Sequence, residues 1–127
     1  MSAALRYSAA ERFAARGKYP AGWRSRVVPA IRARSGSRCE GSPAFPDCRA
    51  VDGEPHPRTG RKVWLATAHL DHMPPHCEPE NLRHWCPLCH ATYDLVHATE
   101  MAALGRAAKR RETQPELPGF EPLVAPL

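Results

Sequence analysis

The cysteines constrain this chain more than any other feature of its sequence. Five occur in 127 residues, and Cys86 and Cys89 stand three positions apart, the spacing at which two thiolates of one tight turn reach the same zinc ion. No apolar run follows the N-terminal charges, so the sequence predicts neither a secretory peptide nor a membrane span and favours a cytoplasmic protein. In that compartment such thiols serve as metal ligands more often than as disulfides.

A four-thiolate zinc site needs a second pair of cysteines. We expect Cys39 and Cys48 to supply it, although eight residues rich in glycine and proline lie between them. Turn-forming residues allow such an insertion to loop out and return close to its start. The alternative is that Cys77 or His76 replaces one of the four ligands. Structural Zn²⁺ would contribute on the order of 10 kcal/mol to folding, comparable with the whole stability of a small domain.

A second group of polar residues lies around the Cys-x-x-Cys pair. His72, Asn81 and His90 recur at intervals of nine, and Asp71 directly precedes His72. Asp71 offers a hard oxygen and His90 a nitrogen, a pair suited to a divalent ion such as Mg²⁺, Mn²⁺, Ni²⁺ or Zn²⁺. The imidazole of His72 is then free to accept a proton as a general base. Asn81 does not titrate, so we assign it an orienting role.

This pattern resembles the motif of HNH endonucleases, in which an Asp-His pair, a central Asn and a final His after Cys-x-x-Cys recur in this order. The resemblance covers roughly residues 19 to 98. Over these residues the chain is similar to a phage- and prophage-associated branch of the family. It implies an α+β fold, a small zinc-stabilised beta-beta-alpha-metal (treble-clef) domain with flanking helices. It also implies that His72 is the general base, that Asp71 and His90 bind the catalytic metal, and that Asn81 is structural. Family members that carry zinc usually have two Cys-x-x-Cys pairs, a pattern from which the first pair here departs.

The charge of the chain points to an anionic partner. The formal net charge is +5, and residues 112–127 hold three glutamates and no lysine or arginine, which leaves +8 on residues 1–111. Duplex DNA attracts such a surface by counterion release. Together with the motif, this predicts a metal-dependent endonuclease that hydrolyses DNA phosphodiester bonds. The alternative is a non-catalytic, zinc-stabilised DNA-binding module.

Three segments are predicted along the chain. Residues 1–18 form a basic N-terminal arm or a marginal helix, residues 19–111 the nuclease domain, and residues 112–127 a disordered, acidic, proline-rich tail. The tail contains Gln114 to Phe120, which loosely resembles the Gln-Leu-Phe peptides that dock on bacterial sliding clamps, although the spacing is imperfect. A plain flexible tail is the default interpretation, and a weak clamp contact is the alternative. The pattern does not indicate an oligomeric state.

Hydrophobic periodicity predicts the main elements of the middle segment. A helix is expected over Trp23–Ser35, where Pro29 either kinks the helix or marks its true first turn. Alternation of apolar and polar residues predicts a strand over Lys62–His69. A long helix is expected from Pro87 or Leu88 to about Arg111.

The remaining histidines are assigned by their neighbours in the sequence. On the long helix, His90, Asp94 and His97 fall at spacings of four and three and should share one face. His69 is expected to pack on its strand or to support the metal site from behind its ligands. His56 is flanked by prolines, and we expect it to be an exposed loop residue.

Overall fold

Three α-helices and one two-stranded antiparallel sheet form the part of the chain that this computed structural model describes, residues 6–113. The elements are α1 (Ala9–Ala15), α2 (Val28–Ser35), β1 (Ala66–His69), β2 (Leu82–Trp85) and α3 (Pro87–Thr113). The α+β class predicted from the sequence is confirmed. Within the described residues, no helix combines the length and apolar character that crossing a membrane requires.

The N-terminal segment contains a short helix that is capped at its start by a reciprocal pair of hydrogen bonds. The Ser8 hydroxyl accepts the backbone N–H of Glu11 at 3.1 Å, and the Glu11 carboxylate accepts the N–H of Ser8 at 2.9 Å. This reciprocal capping satisfies two amides that a helix start leaves without partners. α1 packs against α3, and Arg12 is buried between them. Of the two possibilities for this segment, the described part is a helix.

The second helix is divided where the sequence contains a proline. Trp23–Val27 forms a π-helical turn, and the regular α-helix α2 begins at Val28 with Pro29 in its first turn. Proline is tolerated there because the first amides of a helix have no intrahelical acceptor. Gly36, with φ of 65°, ends α2 in the left-handed conformation. Of the two alternatives for Pro29, a kink or the true first turn, the structure shows the second.

The first strand is half as long as predicted. β1 covers Ala66–His69, whereas Lys62 to Leu65 is extended but pairs with the preceding loop. The N–H of Val63 donates to the carbonyl of Glu54 at 2.8 Å, and the N–H of Leu65 donates to the Asp52 carboxylate at 3.1 Å. The alternation is real over this stretch, since Val63 is buried and Trp64 exposed. The alternation of residues therefore predicted an extended segment correctly. It did not predict which part of the chain that segment would pair with, because this depends on the tertiary structure.

The core of the described residues is small, and three of the seven side chains in its buried cluster are cysteines. β1 and β2 pair in register Ala66 with Trp85 through His69 with Leu82. Behind this sheet lies one cluster of buried side chains: Cys39, Ala50, Val63, Ala68, Trp85, Cys86 and Cys89. Few of these are large aliphatic residues, so apolar burial alone contributes little here, and ligation of a metal by the cysteines would hold together what packing does not.

The long third helix begins at the second cysteine pair, as predicted. α3 runs from Pro87 to Thr113, two residues beyond the predicted end near Arg111. Glu112 and Thr113, which we assigned to the tail, are therefore helical. The rest of the tail, including Gln114 to Phe120 with its resemblance to clamp-binding peptides, lies outside the described residues.

Candidate functional site

The four cysteines predicted as zinc ligands lie together in the interior. The Sγ atoms of Cys39, Cys48, Cys86 and Cys89 all lie within 4.8 Å of one another. Those of Cys48 and Cys86 are 3.9 Å apart, close to the edge of about 3.8 Å that Zn–S bonds of about 2.3 Å give a tetrahedron. These four side chains could hold a metal ion, and four thiolates in this geometry are consistent with a structural zinc.

Local backbone geometry brings the widely spaced first pair together. Gly41 adopts φ of 81°, and a side chain there would collide with the Pro46 carbonyl oxygen, so the loop closes on itself. The Gly41 amide donates to Cys39 Sγ at 3.5 Å, and the Cys86 amide donates to the same sulfur at 3.4 Å. Backbone donors of this kind stabilise the negative charge that a thiolate carries when it binds metal.

Burial keeps the thiols of Cys39 and Cys89 protonated in the metal-free chain, whereas hydrogen bonds lower the pKa of Cys48 against the opposing effect of burial. Burial raises the pKa of Cys89 to about 11 and raises the pKa of Cys39 as well. Because only the thiolate binds metal, ion uptake must release these protons. Metal binding at this centre is therefore favoured by higher pH.

His56 is not the exposed loop residue that the sequence predicted. It is 5% exposed, and its Nε2 lies 3.4 Å from Cys86 Sγ and 3.7 Å from Cys48 Sγ. Its Nδ1 accepts the backbone N–H of Arg58 at 3.0 Å, so in the neutral ring the proton is on Nε2, directed at the sulfurs. The flanking prolines suggested that His56 would be exposed. Instead the loop folds back on itself, with the His56 amide donating to the Arg61 carbonyl at 2.8 Å, and the His56 side chain is buried.

The two alternative zinc ligands lie elsewhere. Cys77 Sγ is 3.5 Å from His69 Nε2 and donates to the Pro74 carbonyl at 3.2 Å. His76 Nδ1 is 2.7 Å from Asp71 Oδ2. The structure therefore favours the four-cysteine set over either substitution.

A second site lies where the end of β1 meets the start of α3. Five side chains define what we call the histidine cluster, and they line one open depression of about 140 Å³ together with Tyr19, Thr67 and Pro74. The members of the cluster are His69, His72, His90, Asp94 and His97. The expectation that His90, Asp94 and His97 share one face of their helix is confirmed.

His72 is held in an uncommon backbone conformation. Its φ is 58°, in the left-handed region, which non-glycine residues enter at some energetic cost and which is frequent at functional sites. The ring lies flat against that of His97, with centroids 3.9 Å apart and planes at 4°. Its Nδ1 is 3.6 Å from Asp94 Oδ1. Burial, together with the neighbouring His97, lowers the pKa of His72 to about 4, so this ring is neutral at neutral pH.

His90 is paired with Asp94, whose second carboxylate oxygen has no hydrogen-bond partner among the described residues. The Nε2 of His90 lies 2.8 Å from Asp94 Oδ2. The other oxygen, Asp94 Oδ1, is buried without a hydrogen-bond partner among the described residues, and so is Thr67 Oγ1 in the same depression. A buried carboxylate oxygen without a partner is costly. The depression thus offers nitrogen and oxygen donors to a cation.

Asp71 and Asn81 lie together, but in a different depression from His90. Asn81 Nδ2 donates to Asp71 Oδ1 at 2.9 Å, and Asn81 Oδ1 accepts the Asp71 amide at 3.3 Å. With His76 and Tyr7 they line a second depression. Hydrogen bonds that the Asp71 carboxylate accepts from His76, Asn81 Nδ2 and the Met73 amide lower the pKa of Asp71 against the opposing effect of burial. Asp71 and His72 are adjacent in sequence, yet their side chains line different sites.

The N-terminal helix contacts the histidine cluster from behind. Arg12 Nη1 donates to His97 Nδ1 at 2.7 Å, and Arg12 Nη2 pairs with Glu100 at 2.7 Å. Because arginine only donates, His97 accepts through Nδ1 and carries its proton on Nε2. Burial, then Arg12, lowers the pKa of His97. Sequence reasoning missed this contact, since nothing local relates residues 12 and 97.

Together the fold and its sites define a small α+β chain with a four-cysteine cluster that could bind a metal ion. No family model, no curated protein and no solved structure matches it in comparison.

Proposed function

We propose that the chain is a metal-dependent endonuclease that hydrolyses DNA phosphodiester bonds, built as a treble-clef domain around a structural zinc. The observation that carries the proposal is the convergence of His72, His90 and Asp94 in one open depression next to the cysteine centre. The His90 imidazole and an Asp94 oxygen that has no hydrogen-bond partner among the described residues suit a divalent cation and the phosphate that it would bind, and the His72 ring lies beside them. The HNH-like order of residues in the sequence supports the same conclusion.

His72 is the general base of the proposed reaction. It accepts a proton from the attacking water, whose oxygen forms a bond to phosphorus while the bond to the leaving oxygen breaks. Asn81 positions the segment on which His72 lies, because it bonds both the amide and the carboxylate of Asp71. When bound, a divalent ion such as Mg²⁺, Mn²⁺, Ni²⁺ or Zn²⁺ supplies positive charge to the phosphate oxygens.

Two acids compete for the role of oxygen ligand beside His90. Asp71 is the ligand proposed from the motif, but its Oδ2 is engaged by His76 at 2.7 Å. For Asp71 to join His90, that oxygen must exchange His76 for the ion. Asp94 Oδ2 already lies 2.8 Å from His90 Nε2, and its Oδ1 has no hydrogen-bond partner in residues 6–113. We therefore include Asp94 as a further candidate ligand.

Cleavage of supercoiled plasmid tests the function. The zinc-loaded protein should nick plasmid with Mg²⁺, Mn²⁺ or Ni²⁺ and not with EDTA. His72→Ala should lower the rate by about 10²- to 10⁴-fold, as expected for a lost general base, at unchanged zinc content. If neither protein cleaves under any metal while both bind DNA with normal zinc, the alternative of a non-catalytic DNA-binding module is correct.

The ligand question is answered by a binding measurement. Titration of Mn²⁺ into zinc-loaded Asp71→Asn and Asp94→Asn, followed by calorimetry or electron paramagnetic resonance, should show weaker binding in the variant that lost a ligand. The matched control is Glu112→Gln, an exposed acid on the same helix outside the depression. If all three variants bind Mn²⁺ as the parent does, the ion is not held in the histidine cluster.

A further inference from the structure

A small aromatic cluster lies at the edge of the histidine cluster. The rings of Trp23, Tyr19 and His69 form a triangle: the Trp23 centroid lies 4.8 Å from that of Tyr19 and 5.0 Å from that of His69, and the Trp23 plane is 24° from that of His69. Tyr19 and His69 are 5.9 Å apart. Tyr19 is nevertheless 49% exposed, and it lines the same depression as His72. One supported aromatic side chain is therefore presented to solvent beside the proposed reaction site.

The chain around Tyr19 is basic and contains no acid. From residue 12 to residue 38 there are eight arginine and lysine residues and no aspartate or glutamate. Arg12, Arg32 and Arg34 are paired with acids from other segments. The exposed cations nearest to Tyr19 in the chain have no carboxylate partner among the described residues. They are Arg16, Lys18, Arg24 and Arg26.

We propose that Tyr19, supported by Trp23, is a stacking platform for an unpaired base of single-stranded or locally opened DNA, and that the four cations hold the phosphates on either side of it. The inference rests on the proposed function, whose substrate class it narrows. In duplex DNA both faces of a base are covered by its neighbours, so an exposed ring can stack only on a base that has left the helix. Exposed aromatic rings interleaved with positive charge are the pattern of single-strand binding grooves.

The support behind the ring explains why Tyr19 suits this role. Contact with Trp23 restricts the orientations of the Tyr19 side chain, so less conformational entropy is lost when a base stacks on it. Stacking on an aromatic side chain contributes about 1–3 kcal/mol per base. At 1.4 kcal/mol per tenfold, this corresponds to an affinity change of about 5- to 150-fold.

The test is a binding measurement without added Mg²⁺, Mn²⁺ or Ni²⁺, so that DNA is not cleaved while the structural zinc stays bound. Fluorescence anisotropy of a labelled oligothymidine of about 12 nucleotides, and of the same strand in a duplex, is measured with the zinc-loaded protein. Tyr19→Leu should weaken single-strand binding within the range above and leave duplex binding unchanged. Tyr19→Phe keeps the ring and should bind like the parent. Trp64→Leu is the matched control, since Trp64 is 65% exposed but lines a separate depression.

Two results would overturn the platform. One is Tyr19→Leu binding the single strand as tightly as the parent; the other is an equal loss on single strand and duplex, which indicates general charge attraction instead of stacking. Failure of the proposed nuclease is a different outcome. It leaves plasmid uncut by the parent protein at any added metal, while the single-strand preference and its dependence on Tyr19 persist without added Mg²⁺, Mn²⁺ or Ni²⁺.

Discussion

Replacing His56 should loosen the cysteine centre without removing any ligand. His56→Phe keeps a buried ring of similar size but loses the Nε2–H that lies 3.4 Å from Cys86 Sγ and 3.7 Å from Cys48 Sγ. A hydrogen bond to a charged acceptor contributes about 1.5–3 kcal/mol. That free energy corresponds to zinc affinity weaker by about 10- to 100-fold, which is also the usual effect of losing a group that supports metal ligands.

The assay is competition for zinc with a chromophoric chelator, paired with the spectrum of the cobalt-substituted protein. Without the N–H donor the thiolates become more electron-rich, so the sulfur-to-cobalt charge-transfer band should move to lower energy. His84→Phe is the matched control. His84 is buried like His56, but its ring contacts Ser35 and not a cysteine.

The His84→Phe control separates an effect on the free energy of unfolding from an effect on the cysteine ligands of the metal. Since zinc binding is coupled to folding, any loss of stability weakens apparent zinc affinity, and His84→Phe should show that effect with an unshifted cobalt band. His56→Phe should show both the weaker affinity and the shift. An unshifted band in His56→Phe, with zinc affinity no lower than that of the control, would refute a hydrogen bond from His56 to the thiolates.

Three further predictions follow from the described contacts. Cys39→Ser should abolish stoichiometric zinc binding and cooperative unfolding, measured by metal analysis and circular dichroism, because zinc contributes on the order of 10 kcal/mol; a cooperatively folded, zinc-free variant would contradict this. The lowered pKa of His72, about 4 against an ordinary 6.5, means that the unfolded chain binds its proton more readily, so stability is complete above about pH 6.5 and is lost as pH falls towards 4, by about 3 kcal/mol. The lowered pKa of His97 acts in the same direction. Urea unfolding at pH 7 and pH 5 should show that His72→Gln loses less free energy of unfolding between these pH values than the parent does. Equal losses would refute the assignment to His72. Arg12→Met should lower the free energy of unfolding by about 1–3 kcal/mol, since it leaves His97 and Glu100 without their donor, and should accelerate hydrogen exchange in α1; unchanged exchange would show that this contact does not hold the helix.

Several features could be predicted from the sequence because they depend on neighbouring residues. A proline and a glycine predicted the limits of the second helix. In the structure α2 begins beside Pro29 and ends at Gly36. Helical spacing placed His90, Asp94 and His97 on one face, where they line one depression. Thiol chemistry selected the cysteines, since few arrangements other than a metal site use four of them in a chain of this size.

Other features required the tertiary structure, because they depend on residues far apart in the chain. The extended segment from Lys62 pairs with the preceding loop and not with β2, a choice that alternation does not encode. Adjacent positions diverge at the left-handed turn of His72, so the motif pair Asp71 and His72 lines two different depressions. A left-handed backbone conformation at a residue other than glycine cannot be predicted from the spacing of residues in the sequence.

The amino-acid sequence by itself determined which atoms could bind metal and which segments could be helical, since ligand chemistry and backbone preference belong to single residues and their near neighbours. The tertiary structure alone decided which of these groups meet. It directed His56 at the cysteine sulfurs and brought Arg12 to His97 across 85 positions of the chain. The physical reason is that a buried polar group must find a partner wherever the fold places one, and distance along the chain does not limit that choice.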